Sequence, residues 1–353
     1  MKLHFSTFSI QNRKNLFLRL DHGDIEGWGE ASPFSMGDSS QTLDAIARSL
    51  QRIAPLLEPY SPLERQKIDR VLKDHALPSA AWSALDMAIQ DWIGKAINLP
   101  LYLVLGLDLD RIPPTTITID AASPEDAQTL TQYCLKTVPE LQGLTVKLGS
   151  TTGLEADKAI ITTIQKTAPQ IKSIGVNVQG KWTLRDAIQM SEWLHDRDIK
   201  YLQQPLPNGH ESDLIKLYYG SPLPIFVSES CFTSHDIPAL SDRVHGITIR
   251  LNACGGITEA IRMIHTARSH GLTIMLSSES SSTLTNTAIA HLSPLVDQIN
   301  LNHLSTFKTD PFIGATLQSG GLIPSDRPGL GVSFRSLMSK NEGSLMSKNE
   351  GSR

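Results

Sequence analysis

From Thr116 onward the chain repeats one pattern, a short apolar, β-branched run followed by a stretch of helical periodicity. The runs are Thr116–Ile119, Leu144–Leu148, Ile174–Val178, Tyr201–Leu202, Ile225–Val227, Ile247–Leu251, Leu272–Leu276 and Gln298–Leu301. Helical segments such as Glu155–Thr167, Leu184–Asp196 and Ile257–His270 lie between most of them. Lys147, Asn177, Gln203, Ser228 and Arg250 end successive runs at separations of 30, 26, 25 and 22 residues, the length of a strand–helix unit. Eight strands in this order predict an α/β fold with a closed parallel (β/α)-barrel, a modified TIM barrel. An open doubly wound sheet is the alternative, but no Gly-rich first turn for a dinucleotide is present.

The first residues differ in kind. Leu16–Leu20 and Gly27–Glu30 read as strands around an Asp21–Asp24 turn with His22-Gly23 at its tip. Helical periodicity follows over Leu43–Leu57 and Ala80–Lys95, and Asn98-Leu99-Pro100 closes the second helix. Strands first and helices after predict a small α+β domain over residues 1–112, ahead of a barrel over 113–312. Residues 313–335, punctuated by Gly320-Gly321 and Gly329-Leu330-Gly331, are expected to return to the first domain. Residues 336–353 carry one eight-residue unit twice, Ser336–Gly343 and Ser344–Gly351, and are expected to be a disordered tail.

Composition removes several function classes. The 32 basic and 36 acidic side chains leave a formal charge of −4, against a nucleic-acid or anionic-membrane partner. With 40% hydrophobic and 19% charged residues a packed core is expected. Cys134, Cys231 and Cys254 are odd in number and widely spaced, so neither a disulfide framework nor a zinc knuckle is expected. Met1-Lys2-Leu3-His4 leads into an alternating strand pattern, no run is long enough to span a bilayer, and a cytoplasmic protein without a signal peptide is expected.

In a parallel barrel the chemistry sits at the C-terminal ends of the strands. Those ends are polar here: Lys147, Asn177 with Gln179, Gln203 with Gln204, Ser228 with Glu229, Arg250 with Asn252, Ser277–Ser282, and Asn300 with Asn302. Lys147 and Arg250 are expected to face each other across the mouth. The other conspicuous side chains read as ordinary. His291 is expected to be a core hydrogen-bonder, Cys231 and Cys254 small buried residues, and Trp28, Trp82 and Trp92 packing residues. His303, just past the last strand, is a secondary candidate for lining the site.

Several segments carry a resemblance. Gly27-Trp28-Gly29-Glu30-Ala31-Ser32-Pro33-Phe34, Ala80–Ala88 with Asp91 and Gly94-Lys95, Leu99-Pro100-Leu101-Tyr102, Gly246–Ala260, Asp310-Pro311-Phe312 and Pro328-Gly329-Leu330-Gly331 resemble the muconate-lactonizing subgroup of the enolase superfamily. Within that subgroup they are nearest to its dipeptide (L-Ala-D/L-Glu) epimerases. The resemblance implies that the α+β domain caps the barrel, that the chain is a homo-oligomer, and that the ancestral reaction abstracts a proton next to a carboxylate. It implies a Mg²⁺ held by three carboxylates, which stabilises an enediolate between two lysines; a carbon acid so weak needs concentrated positive charge at the developing oxyanion.

This chain departs from that pattern. The three metal-ligand positions fall on Asn177, Gln203 and Ser228, all neutral, so no Mg²⁺ cofactor is expected. The paired lysines read Thr145-Val146-Lys147, and the lysine across the barrel is Arg250. The eighth-strand aspartate pair that meets a substrate ammonium reads Asn300-Leu301-Asn302. The seventh-strand Glu falls on Ser281, with Glu279 two residues away. The connection Ile10-Gln11-Asn12-Arg13 lacks the longer loop that covers substrate in family members. Lys147 and Arg250 are the catalytic candidates, and Thr145, Asn300, Asn302, Glu279 and Ser281 the substrate-binding ones. The replacements are mostly near-isosteric, which predicts a pseudoenzyme or ligand-binding barrel for a small or dipeptide-like molecule, without Mg²⁺-dependent epimerase activity. The alternatives are a metal-free isomerase or lyase using Lys147 and Arg250, and an ordinary Mg²⁺-dependent epimerase.

Overall fold

The computed structural model describes residues 1–10, 13–36, 39–278, 281–302 and 310–335. The tail 336–353 and the candidates Glu279 and His303 lie outside these residues. Three antiparallel strands open the chain, β1 (Lys2–Ile10), β2 (Arg13–His22) and β3 (Ile25–Ala31), with β2 in the middle. β1 and β2 stay in register from Lys2 opposite Asp21 to Ile10 opposite Arg13.

Against this sheet pack α1 (Leu43–Leu57), α2 (Arg65–Asp74) and α3 (Ser79–Ala96). The first and third match the predicted helices. The periodicity of the sequence does not predict α2, because Pro59 and Pro62 precede it and only Ile68 and Leu72 give it a buried face. α3 is buried nearly all round, since it lies between the sheet and the barrel. Its contact with β3 depends on two glycines. A Cβ on Gly29 would lie 1.8 Å from the Ala84 carbonyl oxygen, and one on Gly27 would lie 2.1 Å from that of Ala88. The Gly27-Trp28-Gly29 spacing therefore removes the side chains that would hold helix and strand apart.

The barrel strands are β4 (Thr115–Ile119), β5 (Gly143–Lys147), β6 (Ser173–Asn177), β7 (Leu202–Gln203), β8 (Ile225–Val227), β9 (Gly246–Ile249), β10 (Thr273–Ser277) and β11 (Gln298–Leu301). They are parallel and close into a ring in chain order, β11 pairing with β4. Each overlaps its predicted run. The ring and its helices share one large apolar cluster, and the N-terminal sheet and helices form a second. The protein is thus an eight-stranded parallel barrel with an N-terminal capping domain. Among the described residues, no helix is long and apolar enough to cross a membrane.

The barrel interior is polar over much of its length. The Thr145 hydroxyl lies 2.8 Å from the Tyr201 hydroxyl and 3.2 Å from that of Thr116. Burial pushes the Tyr201 phenol up to about 12, so it stays protonated. Its ring fills the space beside Gly175, where a Cβ would come within 2.0 Å of it.

Cap and barrel are joined by buried polar contacts rather than by apolar packing alone. Asp91 on α3 accepts hydrogen bonds from the backbone N–H groups of Trp28 (2.9 Å) and Leu330 (2.7 Å) and pairs with Lys95. Gly94 meets Gly329 backbone to backbone. Asp86 accepts from the Thr258 N–H and hydroxyl and pairs with Arg65. The segments that carry the resemblance are thus the parts of this seam.

His291, in α4 (Thr283–Leu292, the helix that follows β10), is buried as expected. Its Nδ1 accepts the Tyr102 N–H at 3.1 Å, so Nε2 carries the proton and donates to the Leu330 carbonyl at 3.0 Å. Burial lowers its pKa from the ordinary 6.5 to about 4. Between those values the unfolded chain binds a proton that the folded chain refuses. Stability from this site is complete above pH 6.5 and falls as the pH drops toward 4, by a total of about 3 kcal/mol. His291→Gln, which keeps one acceptor and one donor, should flatten that part of the profile. Urea midpoints at pH 4.5, 5.5 and 7 measure it, and parallel profiles for the two proteins would refute the assignment.

Candidate functional site

Side chains alternate between the two faces of a strand, so the inward positions can be read two by two from any interior residue. Tyr201, Phe226 and Met275 form their own buried cluster inside the ring. Two residues further along their strands come Gln203, Ser228 and Ser277. The same step leads from Thr118 to Asp120, from Thr145 to Lys147 and from Thr248 to Arg250. The mouth is therefore ringed by the strand-end residues that the spacing picked out.

Lys147 on β5 and Arg250 after β9 are four strands apart in a ring of eight, on opposite sides of the mouth. Each has a carboxylate partner. The Lys147 ammonium pairs with Asp120 at 2.9 Å, and the Arg250 guanidinium with Glu229 at 2.9 Å. The second pair is the more buried, with side-chain exposures of 6% and 12%, whereas Asp120 is 51% exposed. Asp120 was missed in the sequence, although the alternation Thr116-Ile117-Thr118-Ile119-Asp120 places it inward. Glu229 stood out only as an acid near Ser228; its partner lies on another strand.

Asn177, Gln203 and Ser228 end three consecutive strands and are all buried. Asn177 Oδ1 accepts the Gln179 N–H at 3.0 Å. Gln203 Oε1 and Ser228 Oγ have no hydrogen-bond partner among the described residues, and neither does Glu229 Oε2. The adjacent Gln204 is a bracing residue whose Oε1 accepts the Ser228 N–H at 2.9 Å. Thr145 and Asn300 sit one layer lower. Thr145 is held by Tyr201, and Asn300 Oδ1 accepts from the hydroxyls of Thr116 (3.2 Å) and Thr118 (3.0 Å). Asn302 and Ser281 are buried near the rim. The cysteines are buried thiols; burial raises Cys134 to about 11 and Cys254 to about 12, and pushes Cys231 higher still.

Mg²⁺ asks for hard, preferably anionic, oxygen ligands in near-octahedral array. Here two of the three expected positions are amides and one is a hydroxyl. The one carboxylate beside them, Glu229, lies against a guanidinium. Among the described residues no group of three or more His, Cys, Asp or Glu side chains is placed to hold a metal ion. This donor set does not fit the three-carboxylate site that the resemblance implies.

Residues 2–106 match the mandelate racemase/muconate lactonizing enzyme N-terminal domain, and residues 134–337 match the enolase C-terminal domain-like family. The chain belongs to the enolase superfamily. Among its relatives, a hydrophobic dipeptide epimerase of Flavobacteria bacterium (strain MS024-2A) is 36% identical, over 92% of each chain. A second protein of that name, from Roseobacter litoralis, is 33% identical over 93% of this chain and 94% of its own. Among solved structures, the dipeptide epimerase of Enterococcus faecalis V583 complexed with Mg and the dipeptide L-Leu-L-Tyr superposes with a TM-score of 0.83. It is 26% identical, covering 94% of this chain and 98% of that one.

Proposed function

We propose that this chain is a dipeptide-epimerase-like barrel that binds a small zwitterionic, dipeptide-like molecule at its mouth without Mg²⁺ and without epimerising it. The observation that carries this reading is the pairing of both mouth cations with carboxylates while the three expected metal positions are neutral. Epimerisation at a carbon next to a carboxylate needs a base on each face and strong stabilisation of the enediolate. Arg250 holds its proton far above neutral pH and makes a poor base. Lys147 is already engaged by Asp120 at 2.9 Å. Both cations remain suited to holding a carboxylate, Arg250 in bidentate fashion. Under this reading the protein works in the cytoplasm as a homo-oligomer.

The names of the relatives favour a second reading, an active dipeptide epimerase. Incubation with L-Ala-L-Glu and L-Leu-L-Tyr in D₂O, with Mg²⁺ and with EDTA, separates the two by α-proton exchange in NMR spectra. The expected result is binding without exchange in either condition, and no rise in melting temperature with millimolar Mg²⁺. Mg²⁺-dependent exchange would establish the second reading. Exchange in EDTA would instead point to one-base chemistry at Lys147.

A further inference from the structure

The mouth holds three buried oxygens that nothing in the described protein satisfies: Gln203 Oε1, Ser228 Oγ and Glu229 Oε2. The residues carrying them are 1%, 2% and 9% exposed. They come from the ends of the adjacent strands β7 and β8, which pair in parallel with Phe226 beside Gln203. Ser228 and Gln203 are successive inward positions of the ring, and Glu229, next to Ser228 in the chain, pairs through its other oxygen with Arg250, itself at an inward strand end. Neighbouring polar groups are already committed, Gln204 to the Ser228 and Ser230 N–H groups and Asn177 to Gln179.

We propose that these three oxygens form a primary-ammonium site, which takes the free amine of the ligand. The inference rests on the reading of the mouth as a ligand site and specifies which end of the ligand it holds. An amide oxygen and a carboxylate oxygen only accept hydrogen bonds, and a hydroxyl accepts as well as donates. Three acceptors match the three N–H bonds of R–NH₃⁺. A buried acceptor left dry and unpaired is costly, so a fitting donor is favoured. An anion would bring lone pairs against lone pairs. The charge is also apt: the guanidinium beside Glu229 offsets its carboxylate, and neutral amide and hydroxyl oxygens make up the rest, a donor set that suits a monovalent organic cation rather than a divalent ion.

The test uses the full chain and defined probes, with binding followed by NMR titration. n-Butylammonium chloride is compared with tetramethylammonium chloride and KCl, and L-Ala-L-Leu with its N-acetyl derivative. Butylammonium and Ala-Leu are expected to bind, and loss of the N–H donors in tetramethylammonium or N-acetyl-Ala-Leu should weaken binding at least about tenfold. Gln203→Leu and Ser228→Ala, with melting curves confirming that they fold, should each remove most of that discrimination. Equal binding of Ala-Leu and its N-acetyl form would overturn the ammonium site while leaving the dipeptide reading intact. Butylammonium binding that depends on Gln203, with no binding of Ala-Leu, would support the ammonium site and end the dipeptide reading. A response to KCl alone would overturn the proposal in favour of an inorganic cation.

Discussion

Glu30→Leu is expected to cost about 4–6 kcal/mol, a large share of the total stability of an ordinary domain. Glu30 sits on β3 in the cap and is completely buried. Its carboxylate accepts from the Asn15 side-chain amide at 2.6 Å, the Ser282 N–H at 2.9 Å and hydroxyl at 2.7 Å, and the Thr285 hydroxyl at 2.6 Å. Ser282 caps the N-terminus of α4 and Thr285, whose N–H also reaches the carboxylate at 3.2 Å, lies in its first turn, where a negative charge meets the positive end of the helix dipole. Leucine has nearly the same bulk but strands all these donors in a dry seam. Glutamine keeps most of the acceptor capacity and should lose about 2 kcal/mol. Urea unfolding followed by far-UV circular dichroism gives both values. A leucine variant within about 1 kcal/mol of the parent would show that this contact does not hold cap to barrel.

The second large effect concerns the mouth. Arg250→Met leaves the Glu229 carboxylate in place without the guanidinium beside it, at 12% side-chain exposure. Breaking a buried ion pair from one side typically costs about 3–5 kcal/mol. Replacing both members, Arg250→Met with Glu229→Leu, should recover most of that loss, because two apolar groups need no mutual charge. Ligand affinity should behave differently: the carboxylate clamp is gone in both proteins, so binding of Ala-Glu stays weakened at least about tenfold even where stability returns. Unfolding curves and titrations on the same three proteins separate the two quantities. If the double variant binds like the parent, Arg250 is a structural residue and does not hold the ligand. The Lys147–Asp120 pair carries no such prediction for stability, since half-exposed pairs contribute little.

Much of the barrel was legible because strand and helix write different periods into a chain, and the two alternate at nearly constant spacing after Thr116. The inward ends of the strands followed from the same alternation, which is why Lys147 and Arg250 could be placed on opposite sides of the mouth. Other features were illegible for local reasons. α2 has a thin apolar face and a proline-rich approach, so periodicity alone does not reveal it. Thr145 and Asn300 have polar side chains at strand ends, yet the structure commits them to Tyr201, Thr116 and Thr118 below the mouth. Nothing local in the chain distinguishes a hydroxyl that faces a ligand from one that faces a tyrosine.

By itself, then, the sequence determined the order of strands and helices, the neutral character of the positions Asn177, Gln203 and Ser228, and the pair of cations at the rim. These depend on residue type and on spacing along one chain. The tertiary structure decided what those residues meet: Asp120 beside Lys147, Glu229 beside Arg250, three oxygens without donors among the described residues, and Glu30 buried against a helix 252 residues away. Such pairings form between strands that are brought together only when the ring closes. Their partners, and therefore their chemistry, have no signature at any fixed separation in the chain.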